Sequence, residues 1–252
     1  LYAACTYDLD AGVGDLMEKI RSLGIAEKTL VIFTSDNGAT QQSSQEPLRG
    51  SKGGYYEGGI REPFIAVWPG AIQPGAKSAV PVINVDLYPT FLALAGGKAA
   101  EGKPLDGSDL TPLLTGRTAA LERDAIFWHF PGYLDNPVIR GRESDVALGF
   151  RSRPVSVIRK GNWKLHLFHE EWVLDGGKEN LATNRAVELY DLSADPGEHH
   201  DLAQKETARR DELLGDLLAW IIATKAKLPT EKNPAYDASA AAKRAKEATQ
   251  GK

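Results

Sequence analysis

Cysteine is almost absent from this chain: Cys5 is the one thiol in 252 residues, so no disulfide forms within it. That thiol sits in an apolar setting near the start of a helical pattern, which reads as a small core residue. Long apolar runs are missing too, and none spans a bilayer. The opening Leu1-Tyr-Ala-Ala-Cys5 is neither an initiator Met nor a signal peptide and reads as a chain entered midway. Excess positive charge is also lacking. Thirty Lys and Arg stand against 34 Asp and Glu, a net charge of −4, which excludes the electrostatic footprint of a nucleic-acid binder. No internal repeat is visible. What is present is 42% hydrophobic and 25% charged, enough for a sizeable core in one large domain or one and a half.

The most informative stretch is Thr29-Leu-Val-Ile-Phe-Thr-Ser-Asp-Asn-Gly38. Leu30 to Phe33 is an unbroken apolar run with β-branched and aromatic residues and no polar alternation. It predicts a strand buried on both faces, as in a parallel sheet. Ligands gather at the carboxyl ends of such strands, and here that end delivers Asp36 and Asn37. Both carry hard oxygens that suit Ca²⁺ or Mg²⁺. Asn-Gly is equally a turn dipeptide, so the stretch alone leaves both readings open. Upstream, Leu9, Val13, Leu16, Met17, Ile20 and Leu23 recur at helical spacing and Gly24 follows. They predict a helix from about Tyr2 to Leu23 that feeds the strand. Asp8 and Asp10 lie near its start and serve its dipole.

Downstream, Ala39 to Gly59 is polar and glycine-rich without a hydrophobic period, and a long loop inside a domain is usually functional. Lys52 lies among glycines that let the backbone approach a ligand closely, so its ammonium can meet an anion. Four motifs then stand in order: Thr34-Ser-Asp-Asn-Gly38, Arg49-Gly-x-Lys52, Glu57-Gly-Gly-x-Arg61-x-Pro63 and Trp68-Pro-Gly70. In order and spacing they resemble the sulfatase family, and the resemblance runs on to near the C-terminus. The two glycines between Glu57 and Arg61 argue against a helix there, so the pair reads as an ion pair or loop anchor.

Phe64 to Trp68 reads as a second strand. Val85-Asp-Leu-Tyr-Pro-Thr-Phe-Leu-Ala-Leu-Ala-Gly96 reads as a short buried helix with Asp86 as its cap. Ala125 to Phe130, Val155 to Arg159, Trp163 to Phe168 and Glu188 to Leu192 read as short strands, and Leu213, Leu214, Leu217, Leu218 and Ile221 mark an amphipathic helix. Leu134 to Arg153 reads as a loop. The pair His199-His200 invites a metal reading, but adjacent side chains do not face one another and the segment matches a turn in the family. His166 falls on one face of its strand. His129, in Phe127-Trp-His-Phe130, is a candidate substrate contact, since mixed aromatic and polar residues line ligand sites as well as cores.

The resemblance implies an α/β chain carrying part of the alkaline-phosphatase-like sulfatase fold, with a smaller C-terminal antiparallel sheet and helix. Residues 1–120 then correspond to the C-terminal part of the catalytic domain, 121–228 to the subdomain and 229–252 to a loosely ordered tail. It implies hydrolysis of sulfate esters, with a sulfated small molecule or glycan as substrate and a periplasmic or secreted parent protein. It assigns Asp36 and Asn37 to one divalent cation, usually Ca²⁺, and Lys52 to the sulfate. The family's nucleophile is the hydrate of a formylglycine made in a C/S-x-P-x-R motif. Cys5 is followed by Thr6-Tyr7-Asp8-Leu9 and is not that residue. The family's Asp-Asp pair and its Lys/His cluster also have no counterpart here, and the family places them all before the point where this chain begins. The expectation is a fragment, inactive alone, with apolar edges left open. A phosphodiesterase or phosphonate hydrolase of the same superfamily, or a non-catalytic chain reusing the fold, are the alternatives.

Overall fold

The computed structural model describes residues 1–40, 42–134 and 152–230. The chain divides into two compact units. One joins Leu1–Asp36 to Glu62–Asp124; the other joins Asn37–Arg61 to the chain from Ala125 onward.

In the first unit, α1 spans Tyr2–Ser22. Its end is set by Gly24, whose φ of +65° costs a glycine little; the Gly24 N–H donates to the Arg21 carbonyl and the Ile25 N–H to that of Ile20. The apolar stripe that predicts this helix is not buried: no residue of α1 is. Cys5 is exposed, which corrects the reading of it as a core residue; apolar sequence neighbours do not guarantee apolar cover in space.

Strand β1, Val31–Thr34, pairs with β2, Phe64–Val67, from Val31↔Val67 to Thr34↔Phe64. The ladder is antiparallel and two-stranded, so the parallel, doubly covered strand expected from the run is corrected on both counts. Phe33 and Ile65 remain exposed. An apolar run states that a strand needs cover, not which strand lies beside it.

Helix α3, Leu87–Leu94, rests on Asp86. That carboxylate is fully buried and accepts from the Ile83 N–H (2.9 Å), the Ser108 N–H (2.9 Å) and both terminal nitrogens of Arg123 (2.6 and 2.8 Å). It caps the turn into the helix and also ties two later segments to it. Thr90 continues the knot: its hydroxyl donates to the Asp86 carbonyl and accepts from the Leu110 N–H. The helix is not the buried element its composition suggests, since Tyr88, Phe91 and Leu94 stand open. A single turn, α4, follows at Thr111–Leu114.

The second unit is built on β3 (Ala125–Phe130), β4 (Val155–Lys160), β5 (Trp163–Phe168) and β6 (Val187–Asp191), antiparallel in that spatial order. Gly161, at φ +58°, turns β4 into β5. The short α5, His169–Leu174, follows β5, and α6 spans Thr207–Thr224. Leu213, Leu214, Leu217 and Ile221 of α6 pack with Ile158, Leu165, Leu167 and Leu189 of the sheet. Each such side chain taken out of water contributes about 1.5–3 kcal/mol, which makes this face the main source of stability. The opposite face is covered as well. Val155, Val157 and Phe168 pack with Tyr55, Tyr56 and Trp128, so the 37–61 segment lies on it. Within that segment Glu57–Ile60 forms a one-turn helix, α2, in spite of Gly58 and Gly59. The loop expected for 134–153 and the tail from 229 lie, beyond their first and last described residues, outside the described part of the chain.

Candidate functional site

Asp36 is exposed two residues beyond β1, at the end of the strand where the sequence places it. The neighbouring Glu62 carboxyl is pushed up, first by burial and then by the charge of Asp36. Its Oε1 is buried and has no hydrogen-bond partner. A carboxyl raised by burial and by a neighbouring carboxylate, with one oxygen unmet, is a donor set that a hard cation would relieve. The fit is one of donor type only: among the described residues no three His, Cys, Asp or Glu side chains converge into a cation site.

Asn37 and Lys52 belong to the other unit, and its backbone brings their segments together. The Gly38 N–H donates to the Gly59 carbonyl (3.0 Å) and the Lys52 N–H to the Ala39 carbonyl (2.9 Å). The Gly58 N–H donates to the Arg49 carbonyl (2.7 Å). These strands of chain cross in contact. A Cβ on Gly38 would run into the Gly58 carbonyl and one on Gly58 into that of Arg49, so the crossing requires glycine at both. Ser51 is buried beside it while Lys52 is exposed, leaving an ammonium presented from a held backbone.

Beneath α2 lies a buried charged cluster. Lys164 Nζ donates to Glu57 Oε1 and Glu198 Oε1, 3.0 Å from each; Lys164 and Glu198 are 0% exposed and Glu57 1%. The Glu57 N–H donates to Glu198 Oε2, and His166 Nε2 lies 3.0 Å from Glu198 Oε1. Arg61 and Arg159 flank Glu57 Oε2 at 3.6 and 3.7 Å, so the pair expected between Glu57 and Arg61 is present, on the helical turn that was not expected. Arg49 donates to the Tyr190 hydroxyl (3.0 Å) and the Glu198 carbonyl (3.1 Å), with its guanidinium 3.7 Å from the Tyr56 ring centre. Tyr56 and Tyr190 both donate to Glu188 Oε2. Burial alone would raise the Glu198 carboxyl, but the Lys164 ammonium and then the His166 contact outweigh it and hold it at about 2. Burial depresses the His166 imidazole, against the pull of Glu198.

His129 lies on β3 with both ring nitrogens engaged. Nε2 is 2.8 Å from the Lys227 carbonyl, which can only accept, so Nε2 carries the proton. In the neutral ring Nδ1 then accepts from the Ser156 hydroxyl (2.7 Å), and that oxygen accepts from His169 Nε2 (2.8 Å). His169 Nδ1 is left buried without a partner. Burial, then the charge of His129, lowers His169 to about 4. His199 and His200 are exposed.

Sequence reasoning missed Lys164, Glu198 and Glu62. The signal for Lys164 is a lysine inside the strand Trp163-Lys-Leu-His-Leu-Phe168, where a solvated residue is the ordinary reading.

Residues 1–97 match the family model described as Sulfatase, and residues 51–144 match that described as N-sulphoglucosamine sulphohydrolase, C-terminal. Arylsulfatase A of Homo sapiens is 40% identical over 208 residues, covering 77% of this chain and 37% of that protein. Steryl-sulfatase of Mus musculus is 30% identical over 240 residues, covering 90% of this chain and 37% of that protein. Among solved structures, Ps i-CgsB in complex with k-i-k-neocarrahexaose aligns with a TM-score of 0.66 and 25% identity, over 93% of this chain and 44% of that one. The chain therefore spans less than half the length of these relatives.

Proposed function

We propose that this chain, whose residues 1–97 match the Sulfatase family model, forms part of a sulfate-ester hydrolase, with Asp36 and Asn37 as ligands of a hard divalent cation, Ca²⁺ or Mg²⁺, and Lys52 as a contact of the sulfate. The observation that carries this reading is the backbone crossing that ties the residue after Asn37 to Gly59 and Lys52 to Ala39. It supports one ligand-facing element made of two separate motifs. A cation there, when bound, neutralises charge on the sulfuryl oxygens. The chain's own residues bind and orient: Asp36 and Asn37 offer hard oxygens, and the Lys52 ammonium offers a compact charge to the anion. His129 borders the substrate through its ring, since both of its nitrogens are engaged. The substrate is a sulfated small molecule or glycan.

The family's formylglycine does not fit any residue of this chain. Cys5 lies in Cys5-Thr-Tyr-Asp-Leu9, and no C/S-x-P-x-R run occurs. The 252 residues accordingly do not turn over a sulfate ester by themselves. Ca²⁺ takes about six to eight oxygens, so the two proposed ligands bind it weakly.

Three measurements test the reading. The coding sequence upstream of Leu1 is expected to continue in frame into an Asp-Asp pair and a C/S-x-P-x-R motif. An aryl sulfate is expected to be stable in the presence of the 252-residue chain. In the longer protein, Lys52→Ala is expected to reduce turnover by about two orders of magnitude, as for loss of one group that stabilises developing charge. Full turnover by Lys52→Ala, or hydrolysis by the 252 residues alone, would overturn it.

A further inference from the structure

The cluster of Lys164, Glu198, Glu57 and His166 is fully interior, and no part of the proposed chemistry uses it. It sits on the sheet face that alternation marks as polar. On β5, Leu165 and Leu167 point to α6, while Lys164 and His166 point the other way, under the 37–61 segment. Burying four ionisable groups there is costly unless each is paired. The pairing is nearly complete, and it runs through one turn of chain: Glu57 offers its carboxylate to Lys164 and its N–H to Glu198. From that turn the bonds lead outward. Gly59 holds Gly38, the neighbour of Asn37, and Gly58 holds Arg49, three residues before Lys52. Arg49 returns to the cluster through the Glu198 carbonyl.

We infer that this buried cluster is the anchor that positions Asn37 and Lys52, so that Lys164 and Glu198, on the C-terminal sheet, are positioning residues for the ligand-facing loop. Glycine-rich segments such as 49–61 lose much conformational freedom on ordering and do not stay fixed without such a tether. A loop that merely lies on the sheet needs apolar contact, which Tyr55 and Tyr56 supply. A loop that must hold an ammonium and an amide in fixed relation needs directional bonds, and the charged cluster supplies those. The role of the two presented side chains rests on the sulfatase reading; the anchoring itself does not.

The test is hydrogen exchange on the full 252-residue chain, comparing wild type with Glu198→Gln and, as a control on the same sheet, Lys160→Ala at the solvent edge. The expected result is that the amides of Lys52, Gly58 and Gly59 exchange about ten- to a hundred-fold faster in Glu198→Gln, while those of β5 and α6 are unchanged, and that these loop amides are unchanged in Lys160→Ala, which removes only ion pairs to Glu212 and Asp216 of α6. Unchanged loop amides, or equal acceleration throughout the unit, would overturn the inference. Should Glu198→Gln fail to fold, wild type decides alone. Loop amides as slow as those of β5 support the anchor, and loop amides as fast as the exposed turn amide of Lys103 refute it. Positioning has its own readout: the protection of the Lys52 amine from acylation by inorganic sulfate, expected to weaken about tenfold in Glu198→Gln and to persist in Lys160→Ala. Absence of sulfate protection in wild type would count against the sulfate role of Lys52, while the exchange rates still judge the anchor.

Discussion

Two helices of this chain carry apolar stripes of the same spacing and meet opposite fates. On α6, Leu213, Leu214, Leu217 and Ile221 are buried against four strands. On α1, Leu9 and Leu16 stand open to solvent, Leu16 at 53%. The contrast extends to the units that contain them. Among the described residues, Leu110 is the one hydrophobic residue of the first unit that is buried, and the rest of the buried apolar set belongs to the second. The first unit holds together by other means, chiefly the Asp86 knot with Arg123, Ser108 and Thr90. Periodicity thus reports a demand for cover, and only the fold states whether the demand is met within the same unit.

Substitutions sharpen this comparison. The largest loss is expected from Lys164→Met, which leaves the Glu57 and Glu198 carboxylates buried without their shared cation, at about 3–5 kcal/mol by denaturant titration. A cost below about 1 kcal/mol would mean that water reaches the cluster. Next comes Leu217→Ala, at about 2–5 kcal/mol from lost transfer energy and the cavity left behind. In the first unit, Asp86→Ala should cost about 1–3 kcal/mol for each donor stranded in the interior, read as early loss of α1 and α3 signals with α6 intact. The smallest change is expected from Leu16→Ala, within about 0.5 kcal/mol, as for exposed positions generally. A large loss there would show that α1 is covered in solution.

Acid separates the units further. His169 has an ordinary value of 6.5 and lies at about 4 in the fold. A depressed imidazole favours the folded state fully above 6.5, and that contribution is lost as pH falls from 6.5 through 4. Glu198 goes from 4.5 to about 2, so its contribution is complete above 4.5 and is lost as pH falls towards 2. Each shift corresponds to about 3 kcal/mol. The second unit should therefore weaken in two stages on acidification, followed by its thermal midpoint at steps of pH. Replacing His169 by Gln should shrink the upper stage, to which the depressed His166 also contributes, and leave the lower.

Much of the architecture was legible in the chain. The four strands of the second sheet, both long helices and the end of α1 at Gly24 follow from period and turn residues. The partners did not follow. The apolar run at Leu30 is silent about whether its neighbour is parallel, and Glu57–Ile60 is helical because Glu57 is fixed at both its carboxylate and its amide, which outweighs the cost of two glycines. For the candidate site, Asp36, Asn37 and Lys52 were singled out by motif, each at a strand end or a glycine turn, and their proposed roles rest on that motif. Lys164 and Glu198 were not, because alternation in β5 reads as one dry face and one wet face. Here the second face is also interior, and its charges are matched by Glu57, 107 positions before Lys164, and by Glu198, 32 positions after His166.

The lone exposed thiol on α1 makes the two units separately observable. Four of the five tryptophans, at positions 128, 163, 172 and 220, lie in the second unit, where Trp220 stacks on Phe127 at 4.9 Å. Intrinsic fluorescence therefore follows the second unit almost alone. A single dye coupled to Cys5 follows the first. One sample carries two optical channels, with no residue replaced to install either.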